Sequence, residues 1–136
     1  MQVNFLAVLV ASIVSIIIGS IWYGPLFGKM FIELSGMNQW SPEKQAEMKK
    51  TMNLSYLGQF VASLVTFYVL ALFINRIGQV SIMGGIVTAL WIWLGFLVTQ
   101  KFGETLWGGK MTLFWLNAGS SLLIYVAGGA IIGAWR

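Results

Sequence analysis

Glu33, Glu43, Glu47 and Glu104 are the only carboxylates in this chain, which contains no Cys, no His and no Asp. That inventory excludes disulfides, thiolate and imidazole metal ligation, imidazole acid–base chemistry and every Ser-His-Asp or Cys-His nucleophile. The carboxylate best placed for chemistry is Glu104, three residues beyond Lys101 and hemmed by Phe102 and Trp107. A loop carboxylate among apolar rings can serve as an acid or base. The plainer role, favoured on energetics, is a surface pair with Lys101 or Lys110, worth little. No catalytic residue, metal site or cofactor is expected, and the chain reads as a non-enzyme.

The remaining polar chemistry lies in amides and hydroxyls within apolar surroundings. Asn4, Gln59 and Asn117 each need a partner there, because an unpaired amide in hydrocarbon costs several kcal/mol, of order 2–7. Gln59 and Asn117 lie about two turns in from the same surface and could face each other. They either form a structural bond between helices or line a neutral polar pocket or water-filled path. Small and polar residues recur at spacings of four and seven: Ala11, Ser15 and Gly19; Ser55, Gln59 and Ser63; Gly84, Thr88 and Gly95; Asn117, Ser121, Tyr125, Gly129 and Gly133. Such stripes are the usual means of packing helices in lipid, and a ligand path is the second reading. Gly129 and Gly133 have the GxxxG spacing of a dimer contact. Trp91 and Trp93 sit about 200° apart around one helix, so they cannot share a face. One ring is expected toward lipid and the other in the bundle, where it could pack on a planar apolar ligand.

The elements that must position these groups are plain from the charges. Residues 3–24, 53–75, 80–100 and 111–135 contain no charged side chain, and all the charges fall between or beyond them. A charge at mid-bilayer costs roughly 2.5–3.5 kcal/mol on insertion scales, and about 20 apolar residues span as a helix. The expected fold is all-α: one integral membrane domain of four transmembrane helices at about 3–24, 42–75, 80–100 and 111–135. A cytoplasmic interfacial segment, 25–41, joins the first two. Pro25 disfavours helix at Gly24, so helix one should stop at Trp22-Tyr23, whose rings anchor at the headgroup level. Ser41-Pro42-Glu43 reads as a helix start, and helix two should project its basic first turns beyond the bilayer, near 50 Å in all. Gly103, Gly108 and Gly109 suggest a compact reversal between Lys101 and Lys110. Helix one lacks the basic start of a signal peptide and is taken as retained.

Lys29, Lys44, Lys49, Lys50, Lys101 and Lys110 lie on one side of these helices, Arg76 and Arg136 on the other. The imbalance favours cytoplasmic odd-numbered loops and both termini outside. Trp22, Tyr23, Trp40, Tyr56, Trp107 and Trp115 then form a belt at the cytoplasmic boundary. Scattered single cations suit anionic lipid headgroups rather than nucleic acid.

Ile21-Trp22-Tyr23-Gly24-Pro25-Leu26-Phe27-Gly28-Lys29, Trp93-Leu94-Gly95-Phe96, Phe102 with Glu104, and Leu116-Asn117-Ala118-Gly119 together resemble an uncharacterised bacterial family of small four-helix membrane proteins, domain of unknown function 1761. The resemblance covers nearly the whole chain, and its most specific part is the Trp-Tyr-Gly-Pro turn. It implies a four-helix fold and an inner-membrane address but no reaction. It raises Trp22, Tyr23, Gly24, Pro25, Glu104 and Asn117 as site candidates. The family pattern continues the asparagine segment with an aromatic and a His. This chain has Ser120 and Ser121 there, so no role of that His carries over.

The expected function is that of a non-catalytic membrane component, self-assembling as a homo-oligomer or accessory to a larger complex, that binds lipid or an apolar ligand. The alternative is an oligomeric channel or facilitator for a small solute. Its ligand- or pore-lining candidates are Gln59, Ser63, Trp91, Trp93, Asn117, Ser121 and Tyr125. Proton coupling is disfavoured, because no carboxylate falls at mid-membrane.

Overall fold

In the computed structural model, residues 3–78 and 80–135 are described; Arg136, counted above in the charge balance, lies outside them. The described residues are all-α, with no strand among them. Asn4 opens the first helix: its Oδ1 accepts the Leu6 and Ala7 N–H groups at 3.1 and 3.2 Å. Its amide nitrogen donates to the Trp135 carbonyl at 3.3 Å, tying the two ends of the chain together. The amide is thus satisfied as a helix cap.

Helix α1 (Phe5–Ile21) does not stop at Trp22-Tyr23 as expected. It widens into a π-helical turn, Trp22–Leu26, in which the Phe27 N–H donates to the Trp22 carbonyl at 2.9 Å. Proline lacks an N–H and crowds the carbonyl four residues back; a wider turn accommodates both at Pro25, and the helical run ends one residue later, at Leu26. The 25–41 segment then contains helix α2 (Gly28–Ser35), closed by Gly36 at φ 81°, and a 3₁₀ turn at Met37–Gln39.

Helix α3 (Pro42–Ile77) is 36 residues long, about 54 Å at 1.5 Å per residue. Ser41 Oγ caps it through the Lys44 N–H at 3.2 Å, and Gly78 closes it at φ 78°. Helix α4 (Ile82–Ile92) passes through a second π-helical segment, Trp93–Val98, into α5 (Thr99–Leu106). The reversal expected over residues 101–110 is therefore confined to 107–110. Gly103 alone does not break the helix, whereas Gly108, at φ 133°, ends it. Helix α6 (Met111–Ala134) completes the chain. Four runs are long and apolar enough to cross a membrane: Phe5–Leu26, Pro42–Ile77, Ile82–Leu106 and Met111–Ala134.

Helix α6 packs most extensively against α4 and α1, and α1 packs against α3, which meets α4 and α6 sparingly. The close-packed core occupies the half of the bundle that holds Asn4 and Trp135. Ala7, Ala11, Phe67, Leu70, Ile74 and Ala89 are buried there. A Cβ on Gly85 would strike the Gly129 carbonyl, and one on Gly133 would strike the Ser81 carbonyl. The GxxxG pair, whose spacing also suits a dimer contact, brings α6 onto α4 within the chain. Small residues on both helices allow that backbone approach.

Candidate functional site

The other half of the bundle is not close-packed. A cleft of about 630 Å³ opens between α1, the first π-turn, α3, the α4–α5 run and α6. Its polar lining comprises Ser15, Ser20, Tyr23, Tyr56, Gln59, Ser63, Asn117, Ser120, Ser121 and Lys101; Phe31 of α2 lies at its edge. At its deep end the Ser15 and Ser63 hydroxyls lie 3.2 Å apart, and Ser15 Oγ donates to the Ser12 carbonyl at 2.7 Å. Tyr23 is eight residues from Ser15, so the cleft runs about 12 Å along α1.

Each π-helical segment turns an aromatic residue onto α6. Trp22 donates its Nε1–H to the Leu116 carbonyl at 3.1 Å, and its ring lies against Gly119, where an added Cβ would approach Cζ2 and Cη2 at 2.9 and 3.0 Å. The Tyr23 hydroxyl donates to Asn117 Oδ1 at 2.6 Å and has Ser120 as a second hydrogen-bonding neighbour. Trp93 donates its Nε1–H to Ser121 Oγ at 2.9 Å, and that hydroxyl donates to the Ala118 carbonyl at 3.0 Å. Phe27 packs on Trp22 with the rings tilted 46° and their centroids 4.6 Å apart, and Phe31 meets Tyr23 edge-on at 4.8 Å, fastening α2 beside the π-turn. The widened turn lets consecutive side chains, Trp22 and Tyr23, both reach α6. π-bulges recur at functional sites because they re-aim side chains without ending the helix.

Several cleft groups retain hydrogen-bonding capacity. Gln59, Ser20 and Tyr56 have no side-chain hydrogen bond among the described residues, and neither does the Asn117 amide nitrogen. All four residues line the cleft, and Ser20, Tyr56 and Gln59 are exposed.

Of the candidates named from sequence, Gln59, Ser63, Asn117 and Ser121 come together in this cleft with Tyr23 and Gly24. Trp93 supports it through Ser121, and Trp22 braces it through Leu116 and Gly119. Pro25 shapes the turn but does not line the cleft. Tyr125 packs toward Phe67, with ring centroids 6.4 Å apart. Trp91 is 70% exposed and borders a separate groove of about 450 Å³ with Phe73, Met83 and Val87. Glu104 stands outside the cleft on the surface, 3.8 Å from Lys101. Sequence reasoning missed Ser20, Ser120 and Lys101 as lining residues. Ser20 sits one residue off the Ser15–Gly19 stripe, and Lys101 was assigned to a loop rather than to a continuing helix. Among the described residues no group of His, Cys, Asp or Glu could hold a metal.

Of the residues that carry the family resemblance, Trp22, Tyr23, Trp93 and the 116–119 stretch form one connected set of contacts around the cleft, and Glu104 stands outside it. No curated protein and no solved structure matches the chain. The family DUF1761, described as a protein of unknown function, matches residues 6–133, and the chain belongs to it.

Proposed function

We propose that the protein is a non-catalytic component of the bacterial inner membrane that binds an amphiphilic ligand in the cleft, polar head inward and apolar chain toward lipid. The observation that carries this reading is the set of unpartnered polar groups around one opening: Gln59, Ser20, Tyr56 and the Asn117 amide nitrogen. In a bilayer each must be met by water or by a ligand, since hydrocarbon offers no partner. The positive-inside asymmetry directs the cleft mouth, near Lys101 and α2, to the cytoplasmic leaflet, with both termini outside. Catalysis is disfavoured because no carboxylate, imidazole or thiol lines the cleft.

A through-channel within one chain finds less support. Below Ser15 and Ser63 the bundle closes on Phe67, whose ring occupies the space a Cβ on Gly128 would need. Self-assembly or docking to a larger complex has its own observation: residues 42–55 of α3 are all exposed.

The test is native mass spectrometry of the full chain released gently from its own membranes. A reproducible lipid-sized adduct is expected on the wild type and should be lost from Gln59→Leu. Wild-type protein without an adduct, or an adduct unaffected by Gln59→Leu, overturns the reading. The same spectra report oligomeric state.

A further inference from the structure

Among the described residues the one charged side chain that lines the cleft is a cation, and this selects among amphiphiles. Tyr23 donates to Asn117 Oδ1, which occupies one of its two lone pairs, and the amide N–H groups have no partner among the described residues. Ser121 Oγ accepts from Trp93, and the Ser15 hydroxyl is shared between the Ser12 carbonyl at 2.7 Å and Ser63 Oγ at 3.2 Å. The uncommitted groups are then the Asn117 amide N–H, the Gln59 amide, the Ser20 and Tyr56 hydroxyls, and the Lys101 ammonium at the rim. No carboxylate lines the cleft. The single ion pair of Lys101, to Glu104 at 3.8 Å with both side chains at least half exposed, is a weak competitor.

Resting on the ligand-binding reading above, we propose that the cleft binds an anionic oxyacid group, a phosphate or carboxylate, with Lys101 as counter-charge and the Gln59 and Asn117 amides as neutral donors. Amide and hydroxyl donors in a half-enclosed site favour an acceptor-rich partner, and a charged acceptor strengthens each bond. A lipid headgroup at the cytoplasmic leaflet and a soluble phosphate share this chemistry.

The experiment compares retention of phosphatidylglycerol and phosphatidylcholine by the purified full chain in native mass spectrometry. Wild type, Lys101→Gln, Glu104→Gln and Gln59→Leu are each measured with and without excess inorganic phosphate. Phosphatidylglycerol should be retained about tenfold better than phosphatidylcholine, one charge-assisted bond's worth. Lys101→Gln should abolish the preference, and Glu104→Gln, which releases the lysine, should raise it. Retention in the presence of phosphate assigns the site to the lipid headgroup; displacement assigns it to the soluble ion. Equal retention of the two lipids by wild type, or a preference unchanged by Lys101→Gln, overturns the anion assignment. If both lipids bind equally and both are lost in Gln59→Leu, ligand binding stands and only its anionic character falls. If neither lipid nor phosphate binds, both readings fall.

Discussion

The contact between Trp22 and Gly119 can be tested by a double-mutant cycle. An added methyl at residue 119 would lie 2.9 and 3.0 Å from Cζ2 and Cη2 of the indole, against about 3.5–4.0 Å for an ordinary carbon contact. The ring must therefore retreat by about half an ångström or more. It is held in place by its 3.1 Å bond to the Leu116 carbonyl and by the tilted Phe27 ring at 4.6 Å. Retreat weakens that bond, worth about 0.6 kcal/mol on average in membrane bundles and up to about 1.7, and strains the packing. Gly119→Ala should thus cost about 1–3 kcal/mol, the usual range for overpacking. Phe at residue 22 lacks the two offending atoms and the N–H. In that background the clash disappears, and the alanine should be neutral or gain up to about 1 kcal/mol from helix propensity. Trp22→Phe alone should cost about 1 kcal/mol, because the Leu116 carbonyl keeps its place in the helix ladder. Equilibrium unfolding of all four proteins in mixed detergent gives the coupling energy directly. Additive effects, within about 0.5 kcal/mol, would refute the proposed contact.

Gly129→Ala places a methyl against the Gly85 carbonyl and Ala89 Cβ, where neither backbone can give, and should destabilise the fold by about 2–3 kcal/mol. Gly58→Ala, with nothing within 4 Å, is the internal control and should be neutral or stabilising; equal effects in unfolding assays would sink the close α4–α6 approach. Orientation is read from single cysteines at Trp107, 92% exposed, and Ile77, 56% exposed. An impermeant maleimide should label Ile77→Cys on intact cells and Trp107→Cys only after lysis, and the reverse pattern would overturn the assigned topology.

The helices were legible in the sequence because a bilayer tolerates few charges, so the gaps between charged residues outline the spans. Ser41 and Pro42 marked the start of α3 for the same local reason they do in water. What the sequence did not carry was the width of a helical turn. Pro25 reads as a terminator by its own chemistry; whether the helix ends or widens depends on Trp22 and Tyr23 finding partners on α6, which are 94 residues away in sequence. The convergence of Gln59 and Asn117 could be argued from depth alone, but the bond from Tyr23 to Asn117 Oδ1 could not. The GxxxG pair carried a contact preference without a partner: its spacing fits a second copy as well as it fits α4, and Ser81, Gly85 and Ala89 decide in favour of α4.

The second π-helical segment explains why Lys101 reaches the cleft. Gly85 and Ala89 face α6, and Trp93, Leu97 and Lys101 continue the series at intervals of four. In a regular α-helix each such step drifts by about 40°, so sixteen residues from Gly85 would carry Lys101 about 160° around the axis. It would then face lipid. A π-bulge amounts to one extra residue in the turn and rotates the rest of the helix back by about 100°, leaving a net drift of about 60°. That is small enough for Lys101 to line the cleft with Asn117, while Trp93, at the head of the segment, bonds Ser121. The first π-turn acts similarly on α1 by presenting Trp22 and Tyr23 together. Both irregularities therefore aim side chains at one six-residue stretch of α6, 116–121. Helix packing alone would be served as well by regular turns, so two local departures from α geometry converging on one polar opening are better accounted for by the opening than by the bundle.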